Sequence, residues 1–207
     1  QHAYKKAAWL HLVQIASIAI GELNKVPYKS APETEDWVSD SIDVAQALGV
    51  PVVLLAFFGK GDIKNDKAGT REVIRRLKKV APKAENKRVI LGIESWLSAD
   101  EHLEIIHAVG SPNVRVYYDV ANSHKMGYNI YKEIERLGSE YICEVHAKEN
   151  GYLLSQAKVD CPRVRDILQD VGYTGWIIIE GATPSGMDIL PAYRHNRAFV
   201  QNTFNEV

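Results

Sequence analysis

Val114–Asp119 (VRVYYD), Tyr141–His146 (YICEVH) and Trp176–Glu180 (WIIIE) share one pattern: a short apolar run that closes on a residue able to ligate a metal. Val89–Glu94 (VILGIE) is a fourth case. These runs are rich in Val, Ile and Tyr and are too short to be core helices, so they predict strands. Val13–Ile20 and Val52–Phe57 extend the set to six. Runs that are apolar on both faces suit parallel strands covered by helices.

Working outward, the intervening segments carry helical stripes with readable ends. Thr34 is placed to cap a helix with the stripe Val38, Ile42, Ala45 and Leu48, stopped by Gly49 and Pro51. Val73, Ile74, Leu77 and Val80 form the next stripe. Ser98 and Glu101 make an S-x-x-E capping box ahead of Leu103 and Ile106, with Gly110 as the stop. Ile130, Ile134 and Leu137 end at Gly138, and Val164, Ile167, Leu168 and Val171 end at Gly172.

Six strand-plus-helix units follow one another without a break in composition, which predicts an α/β fold with a parallel sheet. An open doubly wound sheet and a closed barrel both satisfy that pattern. A G-x-G-x-x-G fingerprint is absent after the first strand, which weighs against a dinucleotide-binding sheet. A full (β/α)8 TIM barrel has eight units in about 250 residues. Six units in 207 residues fit such a barrel lacking its first two βα units, with Tyr4–Leu10 as the tail of the second helix. The whole of residues 1–207 then reads as a single, N-terminally truncated domain. Six strands close poorly into a barrel, so a longer natural chain or a partner covering the gap is expected.

Bulk composition narrows the function. Twenty-five basic residues balance 26 acidic ones, for a net charge of −1. That balance gives no dominant attraction to nucleic acid or to an anionic membrane. No apolar run approaches the roughly 18 residues of a membrane span. Cys143 and Cys161 lack C-x-x-C spacing, so reduced thiols in a cytoplasmic protein are expected. Oligomeric state is left open, including a homo-oligomer.

Parallel strands in a barrel aim their C-terminal ends at one mouth, where the chemistry is done. One carboxylate at a strand end is commonly a loop residue or a cap. Four successive strands ending in Glu94, Asp119, His146 and Glu180 are a different matter. Three carboxylates meeting at one mouth repel unless a cation or shared protons intervene. One divalent ion resolves this, and oxygen plus imidazole ligation without thiolate favours Mn²⁺, with Mg²⁺ or Co²⁺ as alternatives.

The segments LGIES, VYYDVANSH, CEVHAKENG and GYTGWIIIEGATPSG together resemble the second half of the xylose-isomerase-like TIM-barrel superfamily. That superfamily includes sugar phosphate isomerases and epimerases, ketose 3-epimerases, inosose dehydratase and AP endonucleases of the endonuclease-IV type. The resemblance implies one metal on Glu94, Asp119, His146 and Glu180, with Glu94 and Glu180 opposed across the substrate as acid and base. It implies an isomerase or epimerase of a small-molecule sugar or sugar phosphate, working by proton transfer through an enediolate, with Glu180 as first base. An inosose-dehydratase-like lyase and a catalytically inactive sugar-binding barrel are the alternatives.

Residues around the four extend the expected site. Lys148, two beyond His146, projects to the same side and suits an oxyanion or phosphate. Asn122 and His124 follow Asp119 in what reads as a loop. Glu22, past the first strand, and Trp96, just past Glu94, are candidate substrate-binding residues. The chain also departs from the repair enzymes. Val159-Asp160-Cys161 stands where they carry an Asp-x-His pair, and Asn122 replaces another of their histidines, which argues against DNA repair. Ser155 and Ala157 stand where relatives often carry glycine.

Overall fold

The computed structural model describes residues 1–156, 158–181 and 183–205. Ala157, singled out above, lies outside the described residues. Strands and helices alternate: α1 (His2–Leu10), β1 (Ser17–Ile20), α2 (Glu33–Leu48), β2 (Val52–Phe57), α3 (Lys67–Lys87), β3 (Ile90–Ser95), α4 (Ala99–Val109) and β4 (Val114–Asp119). The remainder runs α5 (Val120–Lys125), α6 (Ile130–Tyr141), β5 (Ile142–Ala147), α7 (Cys161–Asp170), β6 (Ile177–Ile179) and α8 (Ile189–Thr203). Among the described residues no helix is long and apolar enough to cross a membrane.

The chain divides into two compact units, Gln1–Leu97 with Glu101–Val116, and Ser98–Asp100 with Tyr117–Val207. In the first, β1, β2, β3 and the start of β4 pair in that order, all parallel. Every residue of β2 is buried, as a parallel strand covered on both faces requires. Val53, Leu55 and Phe57 point to one side and Leu54 and Ala56 to the other. Leu77 on α3 and Ile42 on α2 are fully buried, each burial being worth about 1.5–3 kcal/mol. Gly49 ends α2 with φ 74°, a left-handed turn that side chains resist, and its N–H closes the last turn on the Gln46 carbonyl.

In the second unit β5 and β6 pair in parallel, with His146 opposite Ile178 and Ala147 opposite Ile179. Helix α6 breaks at Gly138 (φ 62°, ψ 178°), where the Ile130, Ile134, Leu137 stripe was expected to stop. Asp160 caps α7, accepting the Arg163 N–H at 3.1 Å, and Cys161 behind it is buried. The carboxylate of the V-D-C segment thus serves a helix end.

Three local expectations are corrected. The first strand begins at Ser17 rather than Val13, because α1 runs to Leu10 and the chain turns through Leu12 at φ 52°. Thr34 lies inside α2 rather than capping it. Pro32 starts the helix in helical torsions, and the Thr34 hydroxyl turns back to donate to the Ala31 carbonyl at 2.6 Å. Asn122 and His124 lie on the short helix α5, because Asp119 caps it. Glu101 of the expected capping box accepts from the Lys64 ammonium at 2.8 Å.

Candidate functional site

The strand register explains which side chains meet in the second unit. His146 is opposite Ile178, so both project to one face of the sheet, and Glu180, two residues past Ile178, follows. Lys148, two past His146, follows by the same alternation. Asp119 ends β4 and splits its two oxygens between tasks. Oδ1 accepts the Asn122 N–H at 2.8 Å and starts α5. Oδ2 lies 3.8 Å from His146 Nδ1 and 3.4 Å from Lys148 Nζ.

Glu180 completes this group. Its Oε2 lies 3.1 Å from His146 Nδ1 and 3.0 Å from Lys148 Nζ. Ligand atoms of Asp119, His146 and Glu180 therefore lie within 4.8 Å of one another. Asp119 and His146 are buried, whereas the Glu180 side chain is 47% exposed. Burial pushes the Glu180 carboxyl up, but the hydrogen bond and charge of His146, with the Lys148 ammonium, outweigh it and bring the group down to about 2. Tyr117, two residues before Asp119 and so on the same face of β4, packs its ring 4.4 Å from the imidazole at 55°. It was not foreseen, though the i−2 alternation from Asp119 points to it.

Those distances bear on whether the residues suit a metal. Two carboxylate oxygens from different strands face a common point together with an imidazole nitrogen. The ammonium of Lys148 reaches both of those same oxygens, so the fold already reserves the point for positive charge. Oxygen and imidazole donors of this kind suit a hard or borderline divalent ion.

The other expected residues are placed as follows. Glu94 is the penultimate residue of β3 in the first unit, and it is buried. Its neighbour Ser95 is held by His102 at 3.0 Å and accepts the Leu97 N–H at 3.1 Å. Trp96 packs edge-on against Phe58 with ring centroids 4.9 Å apart. Glu22 lies in a one-turn 3-10 segment, exposed, with Lys25 at 3.1 Å. Asn122 is buried on α5 and His124 is exposed there.

Comparison with known proteins adds a family. A model of the xylose isomerase-like TIM barrel matches residues 13–203. The chain belongs to that family. The parallel βα alternation described above is the corresponding α/β architecture, with six strands among the described residues. No match emerges from comparison of the sequence with curated proteins. Among solved structures the chain is similar to an L-ribulose 3-epimerase, at 17% identity over 99% of this chain and 80% of that one, with a TM-score of 0.81. It is similar to D-psicose 3-epimerase from Clostridium cellulolyticum H10, solved with D-tagatose, at 17% identity over 98% and 83%, TM-score 0.82. It is also similar to a 3-keto-D-glucoside 4-epimerase from E. coli, at 12% identity over 97% and 84%, TM-score 0.83.

Proposed function

We propose that this chain is a divalent-metal-dependent isomerase or epimerase of a sugar or sugar phosphate. The observation that carries the reading is the convergence of Asp119, His146, Glu180 and Lys148 on one point beyond the strand ends. The activities of the three structural relatives, all sugar epimerases, support the substrate class.

In this reading Asp119, His146 and Glu180 hold the ion, and Glu94, at the end of β3, is the fourth ligand. Mn²⁺ is the ion proposed, because the donors are carboxylate and imidazole without thiolate. When bound, the ion polarises a ketose carbonyl and its neighbouring hydroxyl. Glu180 removes the proton from the carbon beside that carbonyl, a task for a carboxylate held ionised by His146 and Lys148. Glu94 returns a proton, on the opposite face in an epimerase. Lys148 donates to the oxygen on which charge develops. Tyr117, tilted against the imidazole, limits the rotation of His146 and keeps Nδ1 aimed at the carboxylates. Trp96, Asn122, His124 and Glu22 are proposed as secondary contacts to the sugar.

The test is the metal content of the purified protein beside Glu180→Ala, followed by a ketose panel in heavy water. The expected result is about one divalent ion per chain, lost in the variant, with solvent deuterium entering beside the carbonyl of one ketose. Loss of water from the sugar would point to a lyase instead. Unchanged turnover in Glu180→Gln would refute the assigned base.

A further inference from the structure

The carboxylate of Glu180 is half exposed, so burial does not fix its aim. Its backbone does. The Glu180 N–H donates to the Ala147 carbonyl on β5 at 3.1 Å, which holds the residue from one side. From the other side the Gly181 peptide sits against α8. The Tyr193 hydroxyl donates to the Gly181 carbonyl at 3.0 Å. One turn further along α8, a Cβ placed on Gly181 would meet Asn196 Nδ2 at 2.8 Å, closer than real side chains approach. Gly181 is not among the residues with positive φ, so its backbone is one that alanine adopts. The glycine is required by Asn196, not by torsion.

Asn196 has no room to yield. It is 1% exposed, and its Oδ1 accepts the Leu154 N–H at 2.9 Å. Retreat would break that bond and strand a buried amide. Leu154 lies in the segment that follows β5, and the next residue, Ser155, pairs with His195 of α8 at 2.6 Å. A single turn of α8 therefore grips both the turn after β6 and the segment after β5. The two side chains on Gly181, Tyr193 and Asn196, are spaced i, i+3 and share one helix face.

We infer that Asn196 is a positioning residue for Glu180, fixing the carboxylate through the Gly181 peptide and coupling it to the Leu154 segment. The inference rests on the metal-site reading given under the proposed function. The experiment measures Mn²⁺ affinity by titration, with Mn²⁺ alone, for wild type, Gly181→Ala, Asn196→Ala and the double variant, with circular dichroism and Tm for each. Gly181→Ala is expected to weaken Mn²⁺ binding about tenfold, and Asn196→Ala about threefold. The double variant is expected to bind better than Gly181→Ala alone, because trimming Asn196 makes room for the new methyl group. A general loss of stability would not produce that rescue.

Gly181→Ala binding as wild type, or a double variant no better than Gly181→Ala, would overturn the inference. If Gly181→Ala does not fold, Tyr193→Phe replaces it. About threefold weaker Mn²⁺ binding there supports the clamp, and no change overturns it. A second readout needs no metal: hydrogen exchange of the Leu154 amide, expected about tenfold faster in Gly181→Ala as Asn196 is pushed aside. If wild type takes up no Mn²⁺ while that exchange accelerates, the metal reading fails and the clamp stands. Unchanged exchange overturns the clamp.

Discussion

Charge is concentrated in two places, on opposite terms. Between α2 and α3 of the first unit, Glu35, Glu72 and Asp43 meet Arg75, Arg76, Lys79, Lys83 and Lys87 at 2.6–3.5 Å. There the outer cations stand largely in water, Arg75 at 54% and Lys79 at 70% exposed. In the second unit Asp119 and Glu180 face His146 and Lys148, with Asp119 only 2% exposed. Exposed pairs are solvated whether or not they meet, so each contributes about 0–1 kcal/mol. A buried carboxylate has no such alternative and must be matched by a cation the fold supplies or the solvent delivers. The first cluster fastens two helices, and the second gathers its charge at the strand ends, where the metal is proposed to bind.

The sharpest break of this comparison is Asp119→Asn. The amide oxygen still accepts the Asn122 N–H, so α5 keeps its cap while the site loses a charge. Mn²⁺ binding is expected to fall about 100-fold or more by titration, with the far-ultraviolet spectrum unchanged. Equal binding would show that the buried carboxylate is structural.

Arg76 is the exception inside the exposed cluster. Its side chain is 6% exposed, with Glu72 at 2.6 Å and the Ala31 carbonyl at 2.6 Å. Arg76→Ala is expected to cost about 2 kcal/mol in denaturant unfolding with Mn²⁺ affinity unaltered. A loss of metal binding would show that the two clusters are coupled.

Lys148→Met removes the cation that shares the oxygens proposed as metal ligands. Mn²⁺ affinity is expected to rise about fivefold at low salt while sugar turnover falls. A fall in both would make Lys148 a structural support for Glu180 rather than a competitor at the site.

Lys79→Ala and mild acid give the smallest effects. Lys79→Ala is expected to cost no more than about 0.5 kcal/mol. The hydrogen bonds of Arg75 and Arg76 hold Glu72 down at about 2, below its usual 4.5, and Lys79 and Lys83 hold Glu35 and Asp43 low in the same way. Carboxyls depressed in the folded state stabilise it above their unfolded values, and that contribution is lost as pH falls from about 4.5 towards 2. Unfolding midpoints measured across that window, at low and high salt, are expected to drift down slightly, and less at high salt. A steep salt-insensitive fall would place the acid sensitivity at the buried cluster.

Much of this was open to inspection in the primary structure. Strand identity in β2, β4 and β5, the Gly49 and Gly138 stops and the strand-end ligand pattern depend on residues close in sequence. Alternation with a period of two also sends His146 and Lys148 to one side without knowledge of any partner. Legibility ended where local signals competed. Val13 carries strand propensity, but α1 and the turn at Leu12 take the chain elsewhere. Thr34 has a capping side chain, yet Pro32 supplies the helix start first. The loop expected after Asp119 became α5 because the aspartate gives one oxygen to Asn122.

The folded chain was needed for everything that depends on register and distant packing. That Lys148 meets both Asp119 and Glu180, that Tyr117 covers the imidazole, and that Asn196 stands where a side chain on Gly181 would go are facts about pairs 15 to 32 residues apart. Local periodicity chooses a residue's face. Only three-dimensional closure brings that face against a particular neighbour, because contact energy depends on distances that no stretch of chain specifies alone.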